Sequence, residues 1–236
     1  MGIKNLLKLI NMYPDLVEEK EIIEYKNKKI AIDISILLYQ VVISVRNTGS
    51  DLTNNKGEVT SHILGLFNKT IKLLENKIIP VYVFDGKPPD LKRKVLDIRR
   101  SIRKKAEEKM SLAETEEEKI KYFKRSVTIS KKQLDECREL LDLMGVPYVN
   151  APEEADSQCA WLAEQNLVDA VLTEDMDILT FGSPKIVRNL TSLKKKPLEI
   201  NLNKIKDKFG WTQNNFIEIC VLFGCDYSDH ITDINF

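Results

Sequence analysis

Lys29-Ile30-Ala31-Ile32-Asp33 is a short apolar run that ends in a carboxylate, as a buried strand of an open α/β sheet does. Acids recur in similar places along the chain: Asp85 after residues 81–84, Glu154 and Asp156 after Ala151-Pro152, Asp175 and Asp177 after residues 170–173, and Asp226 after an apolar helical run. The carboxyl ends of parallel strands meet at one rim of a sheet, so we expect these acids to gather there.

Carboxylates that are crowded together repel one another unless cations neutralise them. A ligand set made only of oxygen suits hard ions such as Mg²⁺ or Mn²⁺ better than zinc. The strand-end acids therefore predict a metal-dependent phosphoryl-transfer site. One such acid alone would more often cap a helix or form a turn, so the prediction depends on their number.

The charges of the chain are balanced overall but segregated locally. Lys plus Arg and Asp plus Glu number 36 each, so the net charge of zero does not indicate whether the chain binds nucleic acid. Between Lys92 and Lys105 there are eight basic residues and one acid, and an acidic stretch follows from Glu107 to Glu118. This pattern predicts a surface with separate basic and acidic regions.

The cysteine and histidine contents exclude several kinds of site. The four cysteines form no C-x-x-C pair, which argues against structural zinc and disulfides and favours a reducing compartment. Two histidines cannot build a histidine-rich metal centre. There is no secretory leader and no apolar run near the roughly 18 residues of a membrane span, so neither export nor membrane insertion is predicted.

The apolar periodicity predicts one Rossmann-like α/β domain, with a mostly parallel sheet, flanking helices and a charged helical insertion. The predicted parts are residues 1–91, the insertion at 92–132, residues 133–231 and a divergent tail at 232–236. Strands are expected at 29–33, 78–84, 146–149, 170–172 and 186–190, and helices at 3–12, 35–46, 134–144, 155–165 and 212–223, with a further helix that starts after Thr60 and carries apolar residues up to Leu74. The insertion is expected to form two helices with a bend near Ser111.

Local signals refine these elements. Thr60 and Thr212 are expected to cap helices, and Gly145 and Gly224 to end them. The helix after Thr60 is predicted to bury a stripe of Leu64, Phe67, Ile71 and Leu74, and Phe67, Trp161 and Trp211 are expected to be core or partly buried. Asp175 and Asp177 would face one side in extended geometry, with Glu174 turned to solvent.

The chain carries several separated motifs in this order: Met1-Gly2-Ile3, Ala31-Ile32-Asp33, Val81-Tyr82-Val83-Phe84-Asp85-Gly86-Lys87-Pro88-Pro89, Ala151-Pro152-Glu153-Glu154-Ala155-Asp156, Thr173-Glu174-Asp175-Met176-Asp177 and Gly224-Cys225-Asp226-Tyr227. Taken together, these motifs are similar to those of the eukaryotic and archaeal flap endonucleases. The resemblance implies a structure-selective 5′ nuclease with two Mg²⁺ ions, for which Mn²⁺ can substitute, acting in DNA replication and repair in the nucleus. The implied metal ligands are Asp33, Asp85, Glu154, Asp156, Asp175, Asp177 and Asp226. Asp156 stands where the family usually has Glu.

The resemblance also implies DNA contacts. Lys92, Arg99 and Arg103 share one helical stripe, and Lys92 and Arg99 match the family residues that steer the scissile phosphate and stabilise transition-state charge. Tyr39 matches an aromatic that stacks on a base, Arg46 is expected to contact a phosphate, and Gly2 to lie close to DNA. Residues 101–130 would be the arch under which a free 5′ strand threads. The alternative for the basic run is a solvated charged helix.

The sequence departs from the family at Thr232-Asp233-Ile234-Asn235, where a Gly-x-Gly turn of a duplex-gripping module is usual. From the ending at Phe236 we expect the second helix of that module and the clamp-binding peptide, which would engage a sliding clamp, to be missing. Two alternatives to a flap nuclease follow: a flap-binding module that does not cut, and a relaxed single-strand or RNA nuclease.

Overall fold

The structure is a computed structural model that describes residues 2, 3, 5–47, 49–192 and 194–228. Seven strands form one sheet: β1 (Val17–Glu19), β2 (Lys29–Asp33), β3 (Ile79–Phe84), β4 (Tyr148–Asn150), β5 (Ala170–Leu172), β6 (Lys185–Arg188) and β7 (Leu198–Asn201). The helices in this part of the chain are α1 (Leu6–Asn11), α2 (Ile34–Arg46), α3 (Ser61–Glu75), α4 (Arg93–Leu112), α5 (Glu116–Arg125), α6 (Lys131–Met144), α7 (Ala155–Glu164), α8 (Asp177–Thr180), α9 (Leu202–Phe209) and α10 (Gln213–Phe223).

The strand order is β1-β7-β6-β5-β2-β3-β4, and the five strands from β6 to β4 are parallel. This confirms the predicted fold class. β2 lies between β5 and β3, with Ile30 opposite Ala170 and Asp33 opposite Val83. The antiparallel edge formed by β7 and β1 was not predicted, because both strands are short and polar on one side. The carboxyl ends of the central strands therefore share one rim.

Two apolar layers cover the two faces of the sheet, because alternate strand residues point to opposite sides. Ala31 and Val83 face the layer that contains α1, α7, α8 and α10. Ile30, Ile32 and Phe84 face the layer that contains α2, α3 and α6. The buried strands that lead to the acids are thus held from both sides.

The predicted helix caps were confirmed at Gly145 and Thr212 but not at Thr60. Gly145 ends α6 with a left-handed φ of 66°, and Thr212 caps α10 by accepting from the Asn215 amide at 3.2 Å, as predicted. Thr60 stands at the N-cap of α3, but its hydroxyl donates to the Leu52 carbonyl at 3.4 Å instead of capping the helix.

The predicted apolar stripe of α3 was wrong for three of its four residues, and the fourth, Ile71, is partly buried. α3 buries Leu66 and Leu73, whereas Leu64, Phe67 and Leu74 are exposed, because the helix is rotated to pack Gly65 against Val41 of α2. A Cβ at Gly65 would lie only 1.7 Å from Cγ1 of Val41, so the close approach of α2 and α3 fixes which face is buried.

Two further expectations of burial had different outcomes. Trp161 is 48% exposed, which is more than predicted. Trp211 stacks on Phe209 with ring centroids 4.4 Å apart and is partly buried as expected.

The insertion consists of α4 and α5, which are joined by a short break at residues 113–115 close to the predicted bend. Ala106 is the one buried residue of α4, which packs against α5. The divergent positions 232–235 lie outside the described residues. Within the described part of the chain, no helix has the length and apolarity needed to cross a membrane.

Candidate metal and nucleic-acid site

Two aspartates at strand ends are fixed by backbone amides. Asp33 ends β2 and caps α2, with Oδ1 accepting from the amide of Ser35 at 2.7 Å. Asp85 follows β3, and its Oδ1 accepts from the Ala155 amide at 2.9 Å while its Oδ2 accepts from the Ser35 hydroxyl at 2.7 Å. Glu154 stands at the N-cap of α7, so the start of this helix lies directly beside Asp85. Asp156 lies in the first turn of the same helix.

Asp175 and Asp177 are brought together by a turn, and the predicted extended geometry was wrong. Met176 between them has helical dihedral angles (φ −84°, ψ −11°), and the Asp177 amide donates to Oδ1 of Asp175 at 3.2 Å. Oδ1 of Asp177 accepts from the Ile3 amide at 2.7 Å. A Cβ added to Gly2 would lie 2.3 Å from Oδ1 of Asp175. The N-terminal segment therefore packs directly on this acid pair.

The prediction that Glu174 is a solvated bystander was also wrong. Its carboxylate accepts from Arg188 at 2.9 and 2.8 Å and from the Asn189 amide at 2.9 Å. Glu174 thus ties the loop after β5 to the end of β6, and it holds the turn that carries Asp175 and Asp177.

Several of the acids lie close enough together to change one another's pKa values. Burial, with the charges of Asp156 and Asp85, raises the pKa of Asp33 well above its usual value. Burial and the charge of Asp175 raise the pKa values of Asp156 and Asp177 to about 7. Oδ1 of Asp156 is buried and has no hydrogen-bond partner among the described residues. The cluster is therefore electrostatically frustrated when it holds no cation.

Basic side chains from the base of α4 enter this cluster. Lys92 contacts Oε1 of Glu154, and its Nζ lies 3.4 Å from Oδ2 of Asp226. Arg99 donates to both carboxylate oxygens of Asp226, and Arg103 donates to the Tyr39 hydroxyl at 3.1 Å. Burial by itself lowers the pKa of Lys92, but the contacts with Glu154 and Asp226 outweigh burial and raise it.

Arg46 is fully engaged within the protein. Its guanidinium pairs with Asp51 at 3.1 and 3.0 Å and donates to the Phe123 carbonyl at 2.7 Å. The same group lies 4.0 Å from the centroid of the Phe123 ring. In this structure Arg46 clamps the end of α5 to the end of α2.

Two residues at the site were missed by sequence reasoning. Ser35 bridges Asp33 and Asp85 through its amide and hydroxyl, and the hydroxyl of Tyr227 donates to Oε2 of Glu154. Each lies within two positions of a predicted ligand, so the polar neighbours of the motif acids were the available signal.

The donor set fits a hard divalent cation. All seven predicted ligands are carboxylates, one of them has a buried oxygen with no partner in the described part of the chain, and three have raised pKa values. Among the described residues, no three His, Cys, Asp or Glu side chains are already arranged around one cation position. Lys92 and Arg99 instead supply the positive charge next to Glu154 and Asp226.

Comparison with known proteins agrees with this arrangement. Residues 1–106 match the XPG N-terminal domain and residues 145–226 match the XPG I-region. Flap endonuclease 1 of Nematostella vectensis is 48% identical over 241 residues, which cover 99% of this chain and 64% of that protein. The human protein of the same name is 45% identical, over 99% of this chain and 63% of its own length. The chain thus spans less than two thirds of these relatives.

Solved structures show the same fold. Flap endonuclease-1 from Methanococcus jannaschii is 40% identical and superimposes with a TM-score of 0.74, over 96% of this chain and 74% of that one. The catalytic core of Rad2 in complex with DNA substrate is 29% identical with a TM-score of 0.76, over 99% of this chain and 65% of that one. Both the sequence matches and the shared fold lead to one assignment: the chain belongs to the flap endonuclease family.

Proposed function

We propose that this protein is a metal-dependent, structure-selective 5′ nuclease that hydrolyses phosphodiesters where a 5′ single strand meets duplex DNA. The observation that carries the proposal is the contact of Lys92 and Arg99 with Glu154 and Asp226. These contacts place cationic groups from a helical insertion against a carboxylate cluster at the rim of a parallel sheet. Hydrolysis of a phosphodiester is favoured both by a site for cations and by basic groups that attract the negative charge of the phosphate.

The seven carboxylates (Asp33, Asp85, Glu154, Asp156, Asp175, Asp177 and Asp226) would hold two Mg²⁺ ions, or Mn²⁺ in their place. When bound, such ions supply positive charge to the scissile phosphate and lower the pKa of water. The chain itself keeps the ligands in register: backbone amides fix Asp33, Asp85 and Asp177, and the ion pair of Glu174 holds the turn between β5 and α8.

The arch side chains would act on the substrate. Lys92 and Arg99 hold carboxylates in the free protein, and a phosphate that enters the site offers them an alternative anionic partner. Arg103 donates to the Tyr39 hydroxyl, so the Tyr39 ring at the base of the arch is held where a base could stack on it. Gly2 lies beside Asp175 and hence within the same site. Arg46 would contact DNA only by releasing Asp51.

The test is cleavage of a labelled 5′-flap DNA with Mg²⁺, with Mn²⁺ and with chelator, using the wild type, Asp175→Ala and Asp207→Ala. Asp207 is a matched control because it lies exposed on α9, outside the acid cluster. We expect metal-dependent cutting that is lost only in Asp175→Ala. Cutting by Asp175→Ala at the wild-type rate would refute the metal-site assignment.

A second pair of variants tests the arch. Arg99 and Arg100 are neighbours on α4, but Arg100 pairs with the exposed Asp97 instead of the acid cluster. We expect Arg99→Ala to lower the cleavage rate by about 100-fold or more and Arg100→Ala to leave it nearly unchanged. Equal losses in the two variants would indicate a general effect of arch charge.

The two alternatives to a flap nuclease would give different results in these assays. A flap-binding module that does not cut would bind the substrate and metal without cleavage. A relaxed nuclease would cut linear single strands or RNA as fast as flaps. The presence of an acid at all seven positions favours the enzyme, and the family relationship favours action in DNA replication and repair within the nucleus.

A further inference from the structure

Glu154 differs from the neighbouring acids in the way its side chain is held. Asp33 and Asp85 each accept from a backbone amide, whose position is set by the fold. The side chain of Glu154 caps no helix amide although the residue stands at the N-cap of α7. Its Oε1 accepts from Lys92 and its Oε2 accepts from Tyr227. Two side chains therefore orient this longer and more flexible carboxylate.

The two contacts with Glu154 are expected to last for different parts of the reaction. Lys92 belongs to the base of α4 and is proposed to turn to the scissile phosphate, so its contact with Glu154 is broken during the reaction. The Tyr227 hydroxyl donates to Oε2 of Glu154 and is not proposed to bind the phosphate, so this contact can persist during the reaction. Once Lys92 has left, Tyr227 is the one side-chain donor among the described residues that still holds the Glu154 carboxylate.

Tyr227 is itself fixed by its surroundings. The Cys225 amide donates to the Ser228 carbonyl at 3.1 Å, and the Ser228 hydroxyl donates to the Val221 carbonyl at 3.1 Å, which closes the corner after α10. The Tyr227 ring packs edge-on against Phe181, with centroids 6.5 Å apart. Phe181 directly follows α8, which begins at Asp177. The ring thus joins the corner that carries Asp226 to the turn that carries Asp177.

We propose that Tyr227 is a positioning residue that orients Glu154 for divalent metal binding, an inference that rests on the proposed function. By holding Oε2, the hydroxyl directs Oε1 toward the space shared with Lys92, where a cation would take over the role of the ammonium. Groups that hold a ligand in this way typically alter metal affinity by 10- to 100-fold when they are removed.

The test is direct titration of the metal-free protein with Mn²⁺, followed by electron paramagnetic resonance of the free ion, which needs no cleavage. Tyr227→Phe removes only the hydroxyl. Tyr25→Phe is the matched control, because the Tyr25 hydroxyl also donates to a glutamate, Oε2 of Glu199 at 3.1 Å, outside the acid cluster. We expect about 10-fold weaker Mn²⁺ binding in Tyr227→Phe and wild-type binding in Tyr25→Phe.

A double-mutant cycle shows whether the effect passes through Glu154. In a Glu154→Gln background, Tyr227→Phe should cause no further loss of Mn²⁺ affinity. In cleavage assays, Tyr227→Phe should raise the Mg²⁺ concentration for half-maximal rate by the same factor, with the KM for flap DNA unchanged at saturating Mg²⁺. Additive losses in the cycle, or wild-type Mn²⁺ affinity in a folded Tyr227→Phe protein, would overturn the proposal.

The binding titration also separates this inference from the proposed function. A wild type that binds Mn²⁺ but cuts no flap, together with a weakened Tyr227→Phe, would uphold the positioning role and refute the nuclease. A wild type that cuts flaps, together with a Tyr227→Phe that binds Mn²⁺ normally, would refute only the positioning role.

Discussion

Nη2 of Arg99 donates to both carboxylate oxygens of Asp226, at 2.8 and 2.6 Å, across 127 residues of sequence. With the contact of Lys92 to Glu154, this ion pair joins the helical insertion to the rim of the sheet. The same basic groups thus serve two anions in turn: carboxylates in the free protein and phosphate in a complex. A variant of Lys92 or Arg99 should therefore affect metal binding differently from cleavage.

Lys92→Ala is expected to raise the affinity of the metal-free protein for Mn²⁺ by a few-fold, because the ammonium no longer competes for Oε1 of Glu154. Cleavage should nevertheless fall by about 100-fold or more, because the phosphate loses a cationic partner. Mn²⁺ titration and single-turnover cleavage measure the two effects, with the exposed Lys104→Ala as a control on the same helix. Weaker Mn²⁺ binding in Lys92→Ala would contradict the competition.

Asp156→Asn is expected to stabilise the metal-free protein by about 1–2 kcal/mol near pH 8, because a charge that is buried among like charges is removed. The pKa of Asp156 is raised to about 7 in the folded state. Stability from this group is therefore full below its unfolded pKa, near pH 4, and is lost as the pH rises through about 7. The advantage of Asp156→Asn should vanish at about pH 4.

Denaturant unfolding of metal-free protein at several pH values checks this prediction, with the exposed Asp207→Asn as a control. Addition of Mn²⁺ should reverse the order of stability, since the variant lacks one ligand. A destabilised Asp156→Asn at high pH would mean that the carboxylate is compensated in the free protein.

Gly2→Ala should disturb the acid pair at Asp175 and Asp177. Gly2 has a φ of 84°, and its Cβ would lie 2.3 Å from Oδ1 of Asp175. Gly57→Ala is the matched control, because Gly57 has a similar φ of 80° but no atom of the described residues lies within 4 Å of its Cβ position. We expect weaker Mn²⁺ binding in Gly2→Ala only; equal losses would trace the effect to backbone strain.

Arg46→Lys should loosen the arch while keeping the positive charge. A lysine cannot reproduce the simultaneous contacts with Asp51, the Phe123 carbonyl and the Phe123 ring. Hydrogen exchange should become faster in residues 116–125 of the free protein. Unchanged exchange, with weaker DNA binding alone, would instead assign Arg46 to a phosphate contact.

The sequence predicted the parallel sheet and its rim of acids because short apolar runs that end in carboxylates report strand direction directly. It failed where tertiary packing overrides periodicity. The stripe of Leu64, Phe67 and Leu74 fits a helix well, but the approach of Gly65 to Val41 turns another face inward. The turn at Met176 was missed because two acids separated by one residue can lie close together either on one face of a strand or at the start of a helix. Partners such as Tyr227 depend on side-chain geometry, which no spacing encodes.

The pairing of β2 with β5 has a consequence for the order of folding. The Lys29 amide donates to Asp169 across 140 residues, and this parallel pairing brings Asp175 and Asp177 to the acids that follow β2 and β3. Pairing of such distant segments requires closure of a long loop and slows folding. We expect the repulsion among the carboxylates to arise mainly after the folding transition state, so that divalent cations slow unfolding far more than they speed folding, which stopped-flow folding and unfolding with and without Mn²⁺ would measure.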